Sequence, residues 1–114
     1  MTYPHRGEIY WVRLDPTLGT EIAKTRPAVI ISNDIGNQYS ERVIVAPITT
    51  GDLSKVHPFE VMIPAGEGGL PQTSKILLDQ IRTLDKKRLG KYLGAITPER
   101  ILEINRAIRI SLAV

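Results

Sequence analysis

The sequence predicts a small, strongly bent β-sheet or barrel with helices attached, mainly β with a C-terminal α-helix. Short runs rich in Val, Ile and aromatic residues recur along the chain, each closed by Gly, Pro, Asn or Asp. No βαβ alternation, internal repeat or low-complexity linker separates them. A clear helix start, Thr97-Pro98-Glu99, comes only near the end. At 114 residues the chain fits one domain spanning 1–114, close to the modal domain size.

Gly7 to Leu14 alternates loosely between apolar and polar residues, as a half-buried first strand does, and Asp15-Pro16-Thr17-Leu18-Gly19 breaks it. A loop to Thr25 leads into a second strand, Ala28 to Ile31, whose unbroken apolar run predicts burial on both faces. Asp34 to Glu41, with Gly36, Asn37 and Ser40, reads as a projecting loop. Val43 to Ile48 forms the third strand, with Ile44, Ala46 and Ile48 on one face and Val43, Val45, Pro47 and Thr49 on the other. Pro47 has no donor, which predicts an edge or a bulge there.

Thr49-Thr50-Gly51-Asp52 turns out of the sheet, and Pro58 to Ile63 re-enters it as a fourth strand. Pro64 to Pro71, with Gly66, Gly68 and Gly69, is expected to be a mobile loop. It lacks the Gly-Lys-Ser/Thr of a phosphate cradle. Lys75 to Leu84 reads as one fifth strand, with Leu78, Gln80, Arg82 and Leu84 sharing a face. Asp85 caps a helical turn over Lys86-Lys87-Arg88, ended by Gly90, and Lys91 to Ile96 is extended. Thr97 then caps a helix from Pro98 to about Ser111, whose stripe of Ile101, Ile104, Ile108 and Leu112 packs back on the sheet.

Composition narrows the function. Fifteen Lys and Arg against twelve Asp and Glu give a net charge of +3, compatible with a polyanionic partner and equally with an ordinary soluble protein. The absence of cysteine excludes a disulfide framework and a thiolate nucleophile, and fits a reducing cytoplasm. No run reaches membrane-span length, and Met1-Thr2-Tyr3-Pro4 lacks the apolar core of a signal peptide, so a cytoplasmic protein is expected. His5 and His57 fit exposed loop imidazoles better than a catalytic pair. No acid or histidine cluster has metal-ligand spacing, so neither metal nor cofactor is expected.

The chemistry-bearing candidates gather around Gly19 to Asn37. Pro27 biases Arg26 towards an extended backbone, which holds a planar, permanently charged guanidinium at the mouth of the second strand. Arg26 then serves either a surface ion pair with Glu21 or a grip on phosphate. Thr49 either closes its own turn or offers a hydroxyl to a ligand. Gln80 and Arg82 are either solvated edge residues or hydrogen-bonding contacts to RNA base edges and phosphate. Lys86-Lys87-Arg88 is either a solvated turn or a backbone-steering patch.

Arg6-Gly7-Glu8-Ile9-Tyr10-Trp11, Lys24-Thr25-Arg26-Pro27-Ala28-Val29-Ile30-Ile31-Ser32-Asn33-Asp34, Val43-Ile44-Val45-Ala46-Pro47-Ile48-Thr49 and Ile76-Leu77-Leu78-Asp79-Gln80-Ile81-Arg82-Thr83-Leu84-Asp85 together resemble the MazF/PemK family of toxin endoribonucleases. The resemblance covers nearly the whole chain. It implies an SH3-like β-barrel that pairs as a homodimer and a metal-independent, sequence-specific cleavage of single-stranded RNA to 2′,3′-cyclic phosphate and 5′-hydroxyl ends. It implies that Arg26 and Thr49 are catalytic, that Gln80, Arg82, Leu18 and Thr20 contact RNA, and that a cognate MazE-like antitoxin covers the groove. The alternative is a non-enzymatic CcdB-like toxin that binds DNA gyrase, for which Arg106 and Arg109 of the last helix would matter instead.

Overall fold

In a computed structural model that describes residues 2–114, the chain forms β1 (Glu8–Arg13), β2 (Thr25–Ile30), α1 (Asp34–Tyr39), β3 (Arg42–Thr49), β4 (Glu60–Ile63), β5 (Ser74–Leu77), β6 (Arg82–Asp85), β7 (Leu89–Ala95) and α2 (Pro98–Leu112). Two 3₁₀ turns, Glu67–Gly69 and Lys86–Arg88, lie between strands. All pairings are antiparallel, in the order β4-β5-β3-β2-β1-β7, with β6 also on β3. Among the described residues no ladder joins β4 to β7, so the sheet is curled and barrel-like without closing.

Strand β3 explains the curl. One flank pairs with β2 from Val45 to Pro47, while the other pairs with β6 from Arg42 to Val45 and with β5 at Ile48 and Thr49. Because it changes partners, its two faces fill two cores. Ala46 and Ile48 join Ile9, Val29, Ile76 and Leu78 in one cluster, which Ile104 and Ala107 of α2 cover. Val43 and Val45 join Val12, Leu14, Ala28, Ile30 and Leu84 in the other. The expected alternation of β3 is therefore as the sequence predicts, and the two-sided burial expected of Ala28 to Ile31 holds from Ala28 to Ile30, with Ile31 half-buried beyond the strand. Pro47 is not at an edge, however. It lies in a central strand where the β6 partner has ended and the β5 partner has not begun, so its missing N–H leaves no gap in either ladder.

Three further expectations need correction. Lys75 to Leu84 is not one strand: β5 ends at Leu77, a turn closes with the Gln80 N–H donating to the Leu77 carbonyl (3.3 Å), and β6 starts at Arg82. Its apolar run satisfied two partners that no alternation rule could separate. Asp34 to Tyr39 is helical, because the Asn33 side chain accepts from the Gly36 N–H (2.7 Å) as an N-cap and buried Asn37 donates to the Ser32 carbonyl (2.9 Å). The glycine-rich segment is a packed lid and not a free loop. A Cβ on Gly69 would stand 2.1 Å from the Leu93 carbonyl oxygen, so only glycine lets this turn touch β7.

The same turn is clamped to α2. Arg100 donates from Nε to Glu67 Oε2 (3.1 Å) and from one terminal nitrogen to Oε1 (3.0 Å), with a third bond to Glu103 (2.8 Å). The Thr97 cap on the Arg100 N–H (3.2 Å) fixes the first helical turn that carries Arg100. In α2, Ile104 and Ala107 are buried while Leu112 is exposed, so the apolar stripe ends a turn before the helix does. No helix of the described residues is long and apolar enough to cross a membrane.

The Arg100 bonds hold the Glu67 carboxyl below its ordinary range, against an opposing push from burial. A depressed carboxylate contributes stability that is present above its unfolded value, about 4.3, and lost as pH falls through the folded value. Glu67→Gln should therefore cost about 1–2 kcal/mol at pH near 7, from the loss of charge-assisted bonds. The difference from the parent should shrink as pH falls below about 4. Urea denaturation of both proteins at the two pH values measures this, and a constant difference would count against the clamp.

Candidate active site

The β2–β3 register places the candidates. Ala28 pairs with Pro47 and Val29 with Ala46, and two residues beyond the last of these pairs stand Arg26 on β2 and Thr49 on β3. Alternation then puts both on the face of Val45 and Ala28. Thr49 in turn pairs with Lys75 on β5, and Arg26 with Val12 on β1, while the β2–β3 ladder itself ends at Ala28 and Pro47. The two strand ends that carry Arg26 and Thr49 were far apart in sequence and are neighbours here.

Arg26 makes no ion pair among the described residues, which removes the expected alternative of a bridge to Glu21. Glu21 instead accepts from the Leu18 N–H (2.6 Å) and closes the tip of its own loop. The Arg26 side chain is anchored at Nε, which donates to the Ala23 carbonyl (2.9 Å). Its two terminal nitrogens have no protein acceptor among the described residues, and the side chain is half-buried. A guanidinium fixed at its neck with an open fork is ready for an oxyanion. Thr49 Oγ1 accepts from the Gly51 N–H (3.1 Å) and so keeps its own proton to donate.

Both positions sit beside strained backbone. Lys24 (φ 70°) precedes Arg26 by two residues, and Asp52 (φ 47°) follows Thr49 by three, each in the left-handed region that non-glycine residues rarely occupy. The Asp52 carboxylate accepts from Ser54 Oγ (2.8 Å), which offsets part of that cost locally.

The predicted RNA contacts divide. Gln80 does not share a strand face with Arg82, since it lies in the β5–β6 turn, yet the turn returns it to the same place. Gln80 Oε1 accepts from the Ile22 N–H (2.7 Å) and Arg82 donates to the Leu14 carbonyl, so both hold the β1–β2 loop. They line a cleft of about 230 Å³ with Glu21, Ile22 and Asp79. Arg88, unremarked beyond its charge in the sequence, donates to the Arg13 (3.1 Å) and Asp15 carbonyls and pins the other end of that loop. Leu18, 82 % exposed, and Thr20 project at the loop tip without touching Arg26 or Thr49 through any hydrogen bond.

A concavity of about 530 Å³ was not legible in the sequence. Trp11, Pro27, Ile48, Leu70 and Leu93 give it an apolar floor, with Lys24, Arg26, Thr50 and Gln72 at its polar rim. Thr50, exposed, reaches this wall, whereas Thr49 faces away from it across β3. Among the described residues no group of three His, Cys, Asp or Glu could hold a metal ion. His5 stacks on Tyr3 and His57 on Phe59, with ring centroids 4.4 and 5.1 Å apart, so both imidazoles are occupied locally.

Strain at Lys24 makes a separate test of the scaffold. Lys24→Gly should leave stability unchanged or raise it by up to about 1 kcal/mol, while Lys24→Val should lower it by about 1–2 kcal/mol, because glycine has no Cβ to resist positive φ and a β-branched side chain resists it more than lysine does. Chemical denaturation decides, and a glycine variant weaker than the valine variant would contradict a left-handed Lys24.

Residues 5–112 match the family described as PemK-like, MazF-like toxin of type II toxin-antitoxin systems. Endoribonuclease MazF of Staphylococcus epidermidis is 45% identical over 109 residues, 96% of this chain and 91% of that protein. An endoribonuclease solved in complex with its cognate antitoxin from a mycobacterial species superposes with a TM-score of 0.81 at 30% identity, covering 97% of this chain and 96% of that one. The crystal structure of MazF from Deinococcus radiodurans superposes with a TM-score of 0.85 at 26% identity, covering all of both chains.

Proposed function

The chain belongs to the PemK-like, MazF-like toxin family of type II toxin–antitoxin systems, and from that premise we propose that Arg26 and Thr49 form the catalytic centre of its endoribonuclease activity. It is an endoribonuclease toxin, and its partner is an antitoxin of the kind that accompanies the mycobacterial relative. The whole chain acts as one toxin domain in the cytoplasm, as a homodimer. The observation that carries the assignment is Arg26, with its neck bound to Ala23, its terminal nitrogens without a protein acceptor among the described residues, and its strand paired with the one that ends at Thr49.

The substrate supplies the nucleophile. The ribose 2′-oxygen attacks the adjacent phosphorus and loses its proton, while the bond from phosphorus to the 5′-oxygen breaks and that oxygen takes a proton up. The products are a 2′,3′-cyclic phosphate and a 5′-hydroxyl. The protein supplies alignment and charge stabilisation as the phosphorane forms. An arginine stays protonated near neutral pH, so Arg26 acts on the developing negative charge rather than as the proton acceptor. The Thr49 hydroxyl, already receiving Gly51, donates its proton to a non-bridging phosphate oxygen and fixes the phosphate against the guanidinium. Gln80 and Arg82 shape the β1–β2 loop, and through their remaining donors contact the RNA that passes it, with Leu18 and Thr20 at the loop tip. The acidic, disordered tail of the antitoxin occupies the 530 Å³ cleft, where Lys24 and Arg26 meet its charge and the apolar floor meets its hydrophobic anchors.

Incubation with a long mixed-sequence single-stranded RNA in excess EDTA tests this. The parent should cut at a recurring short base string. Arg26→Ala should lose about 10²–10³ in rate, and Thr49→Ala should lose more than Thr50→Ala. An RNA carrying a 2′-deoxyribose at the scissile position should resist cleavage, and normal cutting of it would sink the 2′-oxygen mechanism. EDTA-sensitive cutting would point to a metal-dependent nuclease instead.

A further inference from the structure

A buried ion pair stands beside the proposed centre and belongs to neither the hydrophobic cores nor the catalytic residues. Lys75 Nζ meets Glu60 Oε1 at 3.1 Å, with both side chains over nine-tenths buried. Each partner also holds one backbone group of the β3–β4 connection. Lys75 Nζ donates to the Lys55 carbonyl (3.1 Å), and Glu60 Oε1 accepts from the His57 N–H (3.0 Å). The Glu60 N–H returns to the His57 carbonyl (2.8 Å), and the His57 ring stacks on Phe59 with an interplanar angle of 7°. The connection thus runs from Thr49, through the strained Asp52, to two points tied to one charge pair. Lys75 is itself the register partner of Thr49.

A buried pair is weak support for stability, since apolar residues of similar volume do as well or better there. Its use is to specify one arrangement, because a cation needs an acceptor and a carboxylate a donor in fixed directions. Residues 50–56 carry no apolar anchor of their own beyond half-buried Leu53, and the tied carbonyl and N–H fix where the segment sits.

We propose that Lys75 and Glu60 are positioning residues that set the base selectivity of cleavage, by holding the β3–β4 connection in one conformation against the RNA that Thr49 engages. The inference rests on the endoribonuclease function proposed above. The closing of a loop by a charge pair changes which nucleotides fit, whereas Arg26 and Thr49 act on any phosphate delivered to them.

The test uses Lys75→Met/Glu60→Met, which removes both charges and leaves neither stranded, and Lys75→Arg, which keeps the charge and moves the donor off the Lys55 carbonyl. Cut sites are mapped on a long single-stranded RNA, and kcat/KM is compared for an oligonucleotide with the parent's preferred string and one with a single base changed. Thermal unfolding is followed in parallel. The double variant should fold, cut at additional strings, and lose at least about tenfold of the parent's discrimination while retaining cleavage of its preferred site. Should the double variant not fold, Lys75→Arg carries the same comparison. A folded variant that reproduces the parent's cut map would overturn the positioning role and leave the nuclease intact. A parent that cuts no RNA would overturn the nuclease assignment and this inference together.

Discussion

The structure depends on an eight-residue strand that is central on both flanks and buried on both faces from Val45 to Ile48. Arg42–Thr49 hands its outer flank from β6 to β5 between Val45 and Ile48, and that change of partner turns a flat meander into a curled sheet. Val43 and Val45 then fill one core while Ala46 and Ile48 fill the other. Fully burying a residue of this size contributes about 1.5–3 kcal/mol, so the strand has no alternative register that keeps both cores. Its C-terminal end is paired to β5 at Ile48 and Thr49, and Thr49 is its last residue.

The candidate site stands on loops that side chains from neighbouring strands and turns hold by hydrogen bonds. The β1–β2 loop is carried by backbone bonds from Gln80, Arg82 and Arg88, and the β3–β4 connection by Lys75 and Glu60. In each case a side chain on a strand or turn reaches out to a carbonyl or N–H of a neighbouring loop. Preorganisation of this kind costs stability at Lys24 and Asp52, where positive φ is held by the surroundings, and gives in return an open guanidinium fork at a fixed place. The apolar cleft next to it is floored by Trp11, Pro27, Ile48, Leu70 and Leu93, residues from five separate segments.

Much of the chain was legible. The helix start at Thr97-Pro98 and the cap at Asp85 follow from local hydrogen bonds within four residues, and both form as expected. The period-two split of β3 and the two-sided burial of Ala28 to Ile30 follow from side-chain alternation and saturation. Arg26 was singled out because the proline after it restricts its backbone, and the resemblance supplied Thr49. What failed were the segments whose local pattern admits two answers. Asn33 capping a helix and Asn33 closing a loop use the same residue types, and Lys75 to Leu84 is equally apolar whether it serves one partner or two.

By itself, then, the sequence determined the elements whose stabilisation is local or periodic, the family, and the two residue types suited to phosphate chemistry. Only the tertiary structure decided that Arg26 lacks a carboxylate partner, that Gln80 and Arg82 support a loop, that the glycine turn is pressed against β7, and that Lys75 is buried beside Thr49. The physical reason is that these facts are relations between segments. They are set by where the curled sheet brings distant backbone carbonyls, N–H groups and charges within about 3 Å of one another, a separation that no spacing along the chain encodes.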